Sequence, residues 1–277
     1  MACSRICGGP SGRFSSRHGL LPVFLLVAAC ASAAPASAPP APSVNGASTA
    51  SPTVAASPSA ATPSASTAPP CPNPYDGGSC LGTLSAGTYR TTVFELPITY
   101  TVPDGWQNFE DLPGNFLLIP PGEDLGGVDA GTADYVGVGL HAVPASRDCS
   151  TEAKAIQPES GIAETPVAIA AELRDRPGLV VTEPREVEIG GLTGVVVDVR
   201  VDPTWTGTCF YSAGAPGVPL LKGLPPSNFD HAISPGIAIR LYLLANGDTT
   251  LQIEIQVVDL ESLPELAAIA EGFRFAE

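Results

Sequence analysis

The chain has 277 residues and a formal net charge of −15, from 13 basic and 28 acidic side chains. Arg5, Arg13 and Arg17 precede residue 71 and no acidic residue does, so 71–277 holds ten basic against 28 acidic groups, a balance of −18. Nucleic acid and anionic lipid headgroups both need a positive field, and this balance excludes them as partner classes.

Arg13 and Arg17 lead into an eleven-residue apolar run over 19–29 that ends Val27-Ala28-Ala29-Cys30. A basic start, a short apolar core and small residues at the cleavage point make a signal peptide. The run is too short to span a hydrocarbon core of ~30 Å. Small residues before Cys30, with Val27 three positions upstream, fit a bacterial lipobox, in which the thiol is diacylated and becomes the new N-terminus. Ordinary cleavage after Ala31-Ser32-Ala33 is the competing route and would give a soluble product. Of residues 31–70, all but four are Ala, Pro, Ser or Thr, a composition that cannot bury enough surface to offset the entropy of ordering. The expected organisation is therefore a signal peptide (1–29), a lipobox cysteine with a disordered tether (30–70) and a single globular domain (71–277).

Strands dominate the domain. Residues 87–94 and 97–102 predict a hairpin, followed by strands over 116–119 and 135–143. Val195, Val197, Val199 and Val201 alternate with Val196, Asp198 and Arg200, the period of a half-buried strand. Ile237 to Leu243 and Leu251 to Val257 alternate likewise. Both apolar sets are odd-numbered, so pairing them across one face needs an odd number of loop residues, which predicts a three-residue Ala245-Asn246-Gly247 loop setting Leu241 opposite Leu251. The same parity at Gly190-Gly191 sets Val187 opposite Val195. Two helices follow from caps and spacing. Thr165 and Pro166 open one whose face is Ile162, Ile169, Ala170 and Leu173. Ser262 with Glu265 forms a capping box for the other, which carries Leu266, Ile269, Ala270 and Phe273. Gly272 ends it, and Phe273-Arg274-Phe275 adds a short strand. The expected class is α+β, a mostly antiparallel sheet covered by two or three helices.

The run Pro97-Ile98-Thr99-Tyr100-Thr101-Val102-Pro103-Asp104-Gly105-Trp106 resembles the "strand, then Pro-x-Gly-Trp" opening of small exported domains of the PsbP and LpqN kind. The helix, the Gly190-Gly191 hairpin with its valine strand and the closing helix continue the likeness over 85–277. The resemblance implies an accessory or interaction module, often lipid-anchored, with no shared catalytic residue. Four cysteines, the acidity and the long segment 202–236 depart from it.

Cys71, Cys80, Cys149 and Cys209 remain after processing, an even number that in an exported chain reads as two disulfides. The expected bridges are Cys71–Cys80, closing a Gly/Pro-rich loop, and Cys149–Cys209, anchoring 202–236. No zinc-knuckle spacing, Gly-x-Ser-x-Gly elbow or EF-hand register occurs, so no catalytic residue, metal or cofactor is assigned. Ser150 with Lys154 reads as a chance pair, His141 as a packed or hydrogen-bonded core histidine. Glu110-Asp111 and Glu123-Asp124 read as solvated loop neighbours. Asp124, Asp129 and Asp134 form the one conceivable calcium loop.

Segment 202–236 carries Trp205, Phe210, Tyr211, Phe229 and His231, the candidate binding surface, since long unstructured loops often bind. Packing of these aromatics onto the sheet is the opposing reading. The expected function is an extracytoplasmic, lipid-anchored domain on the outer face of the membrane that binds an envelope protein or a small ligand. The alternative is an extracytoplasmic hydrolase, which a cleft with converging titratable groups at His141 or His231 would favour.

Overall fold

Apolar alternation predicts strands with one buried face; the strands form, but the central ones are buried on both. The computed structural model describes residues 81–148, 155–212 and 214–276. Its first elements are β1 (Gly82–Thr83), β2 (Gly87–Arg90), β3 (Ile98–Val102), β4 (Gln107–Asp111), β5 (Asn115–Ile119), α1 (Leu125–Ala130), β6 (Tyr135–Gly139) and β7 (Ala142–Pro144). Next come α2 (Pro166–Arg174), β8 (Leu179–Val181), β9 (Arg185–Ile189), β10 (Leu192–Val201), β11 (Val218–Gly223) and β12 (Asp230–Ile233). The last are β13 (Ala238–Asn246), β14 (Thr249–Val257), α3 (Leu263–Glu271) and β15 (Arg274–Phe275).

A nine-stranded sheet runs β1-β4-β5-β6-β14-β13-β10-β8, with β9 pairing the other half of β10. Two three-stranded sheets, β15-β3-β2 and β12-β11-β7, complete the fold. On the first face of the large sheet, Val136, Val138, Tyr242, Leu244, Leu251, Ile253 and Ile255 pack with Leu266 and Ala270 of α3, Ile98 and Tyr100 of β3, and Trp106. On the second, Val195, Val197, Val199, Leu241 and Leu243 pack with Ile169, Ala170 and Leu173 of α2 and with Val218, Leu220 and Ile233 of the β11–β12 hairpin. The fold is thus mostly antiparallel with few helices, and the small sheets share with the helices the work of covering the large one.

Burial of both faces removes the premise of the parity argument, and both hairpins differ from it. Asn246 pairs with Thr249, leaving Gly247-Asp248 as a two-residue turn with Gly247 at φ 60°, so Leu241 lies opposite Glu254 rather than Leu251. Ile189 pairs with Leu192 around Gly190-Gly191 (φ 59° and 92°), as a two-residue turn with two left-handed residues requires, and Val187 faces Gly194. The odd residues of β13 and β14 therefore point to opposite layers. The Ser262 capping box is also absent: Ser262 is already helical (φ −75°, ψ −23°) because a 3₁₀ turn over 260–262 runs straight into α3. Phe273 is fully buried, and β15 pairs with β3 as the short final strand.

Segment 202–236 is not a structureless loop. It contains a 3₁₀ turn at 210–212 and the β11–β12 hairpin. The predicted strand over 135–143 breaks at His141, whose φ of 51° redirects the chain from the large sheet into β7 of the covering sheet. Glu172 of α2 is buried between Arg147, which donates Nε and Nη2 hydrogen bonds of 2.8 Å, and Arg176 at 3.1 Å. Arg176 also donates to the carbonyls of Pro219 (2.6 Å) and Ala145 (2.7 Å), tying α2 to the covering sheet.

Candidate functional site

Strand β14 carries Leu251, Ile253, Ile255 and Val257 on one side and Thr250, Gln252, Glu254 and Gln256 on the other, and the polar set is as buried as the apolar one. Two of its members are occupied locally: the Thr250 hydroxyl donates to the Glu164 carbonyl (2.9 Å), and the Gln256 amide to that of Ala133 (2.8 Å). Gln252 and Gln256 also line a cleft, and Glu254 lies buried between them.

The neighbouring strand makes the room. β6 reads Tyr135-Val136-Gly137-Val138-Gly139, and its odd positions share the second face with Gln252 and Glu254. Gly137 stands between Leu117 and Glu254, and Gly139 between Asn115 and Gln252, on adjacent strands. Glycine within a strand marks a close approach by something else. At Gly139 that is the Phe229 ring, which a Cβ there would meet at 2.2 Å. Over Gly137 the nearest groups, Tyr135 and Leu117, leave a Cβ at 3.4 and 3.9 Å. Above this floor lies a cavity of about 860 Å³, walled by β12, the 3₁₀ turn and residues 128–132, a size that suits a small ligand.

Three titratable groups converge there. His231 Nδ1 of β12 lies 2.5 Å from Glu254 Oε2, and the Tyr135 hydroxyl donates to Glu254 Oε1. The Gln252 amide lies 3.2 Å from the same imidazole nitrogen, and the Phe229 ring lies against the imidazole with centroids 4.6 Å apart. Burial alone would lower the His231 pKa, but the Glu254 charge and hydrogen bond, with Asp230 and Glu110 behind them, raise it above its ordinary value. Burial, reinforced by Glu254, pushes the Tyr135 phenol well up, so it stays protonated as a donor. With Nδ1 committed to Glu254, Nε2 of His231 has no partner among the described residues.

Of the candidate binding residues, Phe210, Phe229 and His231 line this cavity. Trp205 does not. It is half-buried, with its ring over Gly178 and Gly207, where added Cβ atoms would meet it at 2.5 and 2.3 Å, and its Nε1 donates to Gly217 (3.2 Å). The expectation that it lies on an open loop fails because the segment is folded onto α2 and the sheet. Tyr211 falls in the 3₁₀ turn. Cys209 is buried beside it, whereas Cys30, Cys71, Cys80, Cys149 and the Ser150/Lys154 pair lie outside the described residues.

The other sequence candidates take local roles. His141 Nδ1 lies 2.8 Å from the Pro225 carbonyl, hydrogen-bonded as expected but partly exposed rather than in the core. Glu110 and Asp111 belong to β4, not a loop; Glu110 lines the cavity, while buried Asp111 accepts the backbone N–H of Thr92 (2.7 Å) and Phe94 (2.9 Å). Asp124 caps α1 by accepting from Gly127 (2.8 Å), and Asp134 accepts from Val258 N–H (2.8 Å), so the two do not share a cation site.

Asn115, Tyr135, Gly137, Gln252 and Glu254 escape sequence reasoning. The polar alternation of β14 reads as a solvent face, and only the glycines at 137 and 139, two apart in an otherwise apolar strand, signal otherwise.

No protein-family model and no curated protein matches the chain. Among solved structures it is similar to a Bacteroides thetaiotaomicron protein at 12% identity and TM-score 0.33, over 70% of this chain; the chain spans half the length of that protein. It is similar to the yeast Ran-binding protein Mog1p of Saccharomyces cerevisiae at 12% identity and TM-score 0.32, over 69% of this chain and 96% of that one. The cyanobacterial PsbP (CyanoP) of Synechocystis sp. PCC 6803 is similar at 10% identity and TM-score 0.36, over 72% of this chain and 98% of that one, a loose likeness to the PsbP fold.

Proposed function

We propose that the described domain binds a small ligand in the cavity above Gly137 and presents that site outside the cytoplasm, on a tether lipidated at Cys30. The observation that carries the binding reading is the partly exposed His231 at the cavity wall, held by buried Glu254 with Gln252 and Tyr135 beside it. Burying the Glu254 carboxylate costs several kcal/mol that an apolar side chain would avoid, and such groups cluster where a ligand is met. The export reading rests on the leader and the Val27-Ala28-Ala29-Cys30 sequence, and the tether on the composition of 31–70. Bridges Cys71–Cys80 and Cys149–Cys209 belong to the same oxidising address, and non-reducing peptide mapping tests them.

Native mass spectrometry of the full chain isolated from its own membranes tests the binding reading. A small molecule should travel with the wild type and be lost from Gly137→Leu, which fills the floor, while circular dichroism shows that variant folded. A folded wild type with no adduct, unchanged by the substitution, overturns it. In the same spectra an unmodified N-terminus at Ala34 would end the lipidation reading.

One observation favours a second reading. A carboxylate-oriented imidazole with its outer nitrogen at a cavity wall is the arrangement of a general base. Slow hydrolysis of p-nitrophenyl acetate that disappears in His231→Gln would favour a hydrolase; equal rates in both would exclude it for that ester.

A further inference from the structure

Two side-chain amides flank the same glycine from opposite sides. Asn115 of β5 and Gln252 of β14 both pair with Gly139 of β6, so they stand on either edge of the Phe229 ring that covers it. Both line the cavity, Gln252 is 1% exposed, and the buried Oδ1 and Oε1 atoms accept no hydrogen bond among the described residues. A buried amide oxygen without a donor costs roughly 1–3 kcal/mol, so the unmet pair marks where a ligand would be held.

Two of the charged groups around them are paired, and a third, Glu110, acts electrostatically on His231. His231 is matched by Glu254, and Asp230 by Lys222 at 2.5 Å. Neither lysine nor arginine is among the described residues lining the cavity, which removes the usual receptor for a carboxylate or phosphate. The unmet groups are neutral amides, and each amide is donor at one end and acceptor at the other. Turning either about its last bond exchanges the unmet oxygen for an unmet N–H. A carboxylate satisfies only one orientation and an ammonium only the other, whereas a hydroxyl or a carboxamide satisfies both. The Phe229 ring between them offers an apolar platform for the body of such a molecule.

We infer that the cavity takes an uncharged ligand whose polar groups both donate and accept hydrogen bonds, hydroxyl- or carboxamide-bearing, gripped by Asn115 and Gln252 across the Phe229 ring. This rests on the cavity being a binding site.

The test is a nitrogen–proton correlation titration of the intact protein with probes on one hexose frame and of three charges: N-acetylglucosamine, glucosamine and glucuronate. Methyl glucoside and N-acetylalanine amide then separate the hydroxyl from the carboxamide source. The neutral probes should shift the Asn115 and Gln252 side-chain amide signals and bind at least about ten-fold more tightly than either charged one, a margin of about 1.4 kcal/mol. Gln252→Leu should abolish the Asn115 shift without lowering the melting temperature, and Gln252→Asn should weaken it. Binding of a charged probe as tight as the neutral ones overturns the inference while leaving the cavity as a binding site. Silence from every probe at tens of millimolar overturns it too, and with no adduct in the native spectra the binding reading falls as well.

Discussion

At the β10–β13 end of the second face, Val197, Val199, Leu241 and Leu243 meet Ile169 and Leu173 of α2 in a closed apolar layer. One strand over, Gln252 and Glu254 are buried to the same degree beneath a cavity. The border runs between paired residues, since Leu241 stands opposite Glu254 and Leu243 opposite Gln252. Neighbours at equal depth in one sheet thus serve different ends: the apolar side holds the fold, and the polar side is retained at a cost to stability. Four measurements break or sharpen that contrast.

The largest effect belongs to the apolar side. Leu241→Ala removes a fully buried side chain and should cost about 2–5 kcal/mol in urea unfolding, with the cavity chemistry untouched. A loss below about 1 kcal/mol would mean that the layer against α2 is loose. Trp205→Ala comes second: the half-buried ring supports two glycine backbones at the edge of the same layer, and about 1–2 kcal/mol is expected from the area it covers. An unchanged melting temperature would return Trp205 to the role of a surface anchor.

The third effect is a slope. His231 holds its proton more tightly in the folded protein. The stability this supplies is complete below the unfolded pKa of about 6.5 and is lost as pH rises through the raised folded value. Thermal melts from about pH 6 upward should show a decline that His231→Gln flattens. A wild-type profile as flat as the variant's would place the proton elsewhere. The smallest effect is expected from removing the whole group. Glu254→Met with His231→Leu and Tyr135→Phe, which leaves no buried hydroxyl without its acceptor, should leave stability unchanged or slightly raised, because apolar replacement of a complete ion-pair group is commonly neutral or favourable. A large loss would show that the polar side is part of what holds the fold.

Much of the fold was readable from the chain and little of the site. The valine and leucine alternations of β10, β13 and β14, Pro166 at the start of α2, and β15 after Phe273 followed from local pattern, because periodicity and backbone preference act within a few residues. The hairpin registers did not follow, since they depend on whether the other face is covered, and the covering β11–β12 hairpin lies in a segment whose Gly and Pro content reads as loop. The site failed for the same reason. Gln252 and Glu254 are solvent residues by alternation, and only β12, whose His231 lies 21 positions before Gln252, turns them inward. The aromatic content of that segment points to Phe229 and His231, although His231 belongs to a strand and Phe229 to the short connection before it.

His141 has a consequence for how the domain moves. Its left-handed backbone, held by the contact from Nδ1 to the Pro225 carbonyl, lets one continuous ribbon supply β6 to the floor of the cavity and β7 to the sheet that roofs it. Floor and roof then form one cooperative unit, in which amide protons of β6, β7 and β11 should exchange with solvent at a common free energy rather than in separate openings. A roof fused to its floor cannot swing aside, so a ligand would meet a preformed cleft whose lining includes Phe210 and Ser212.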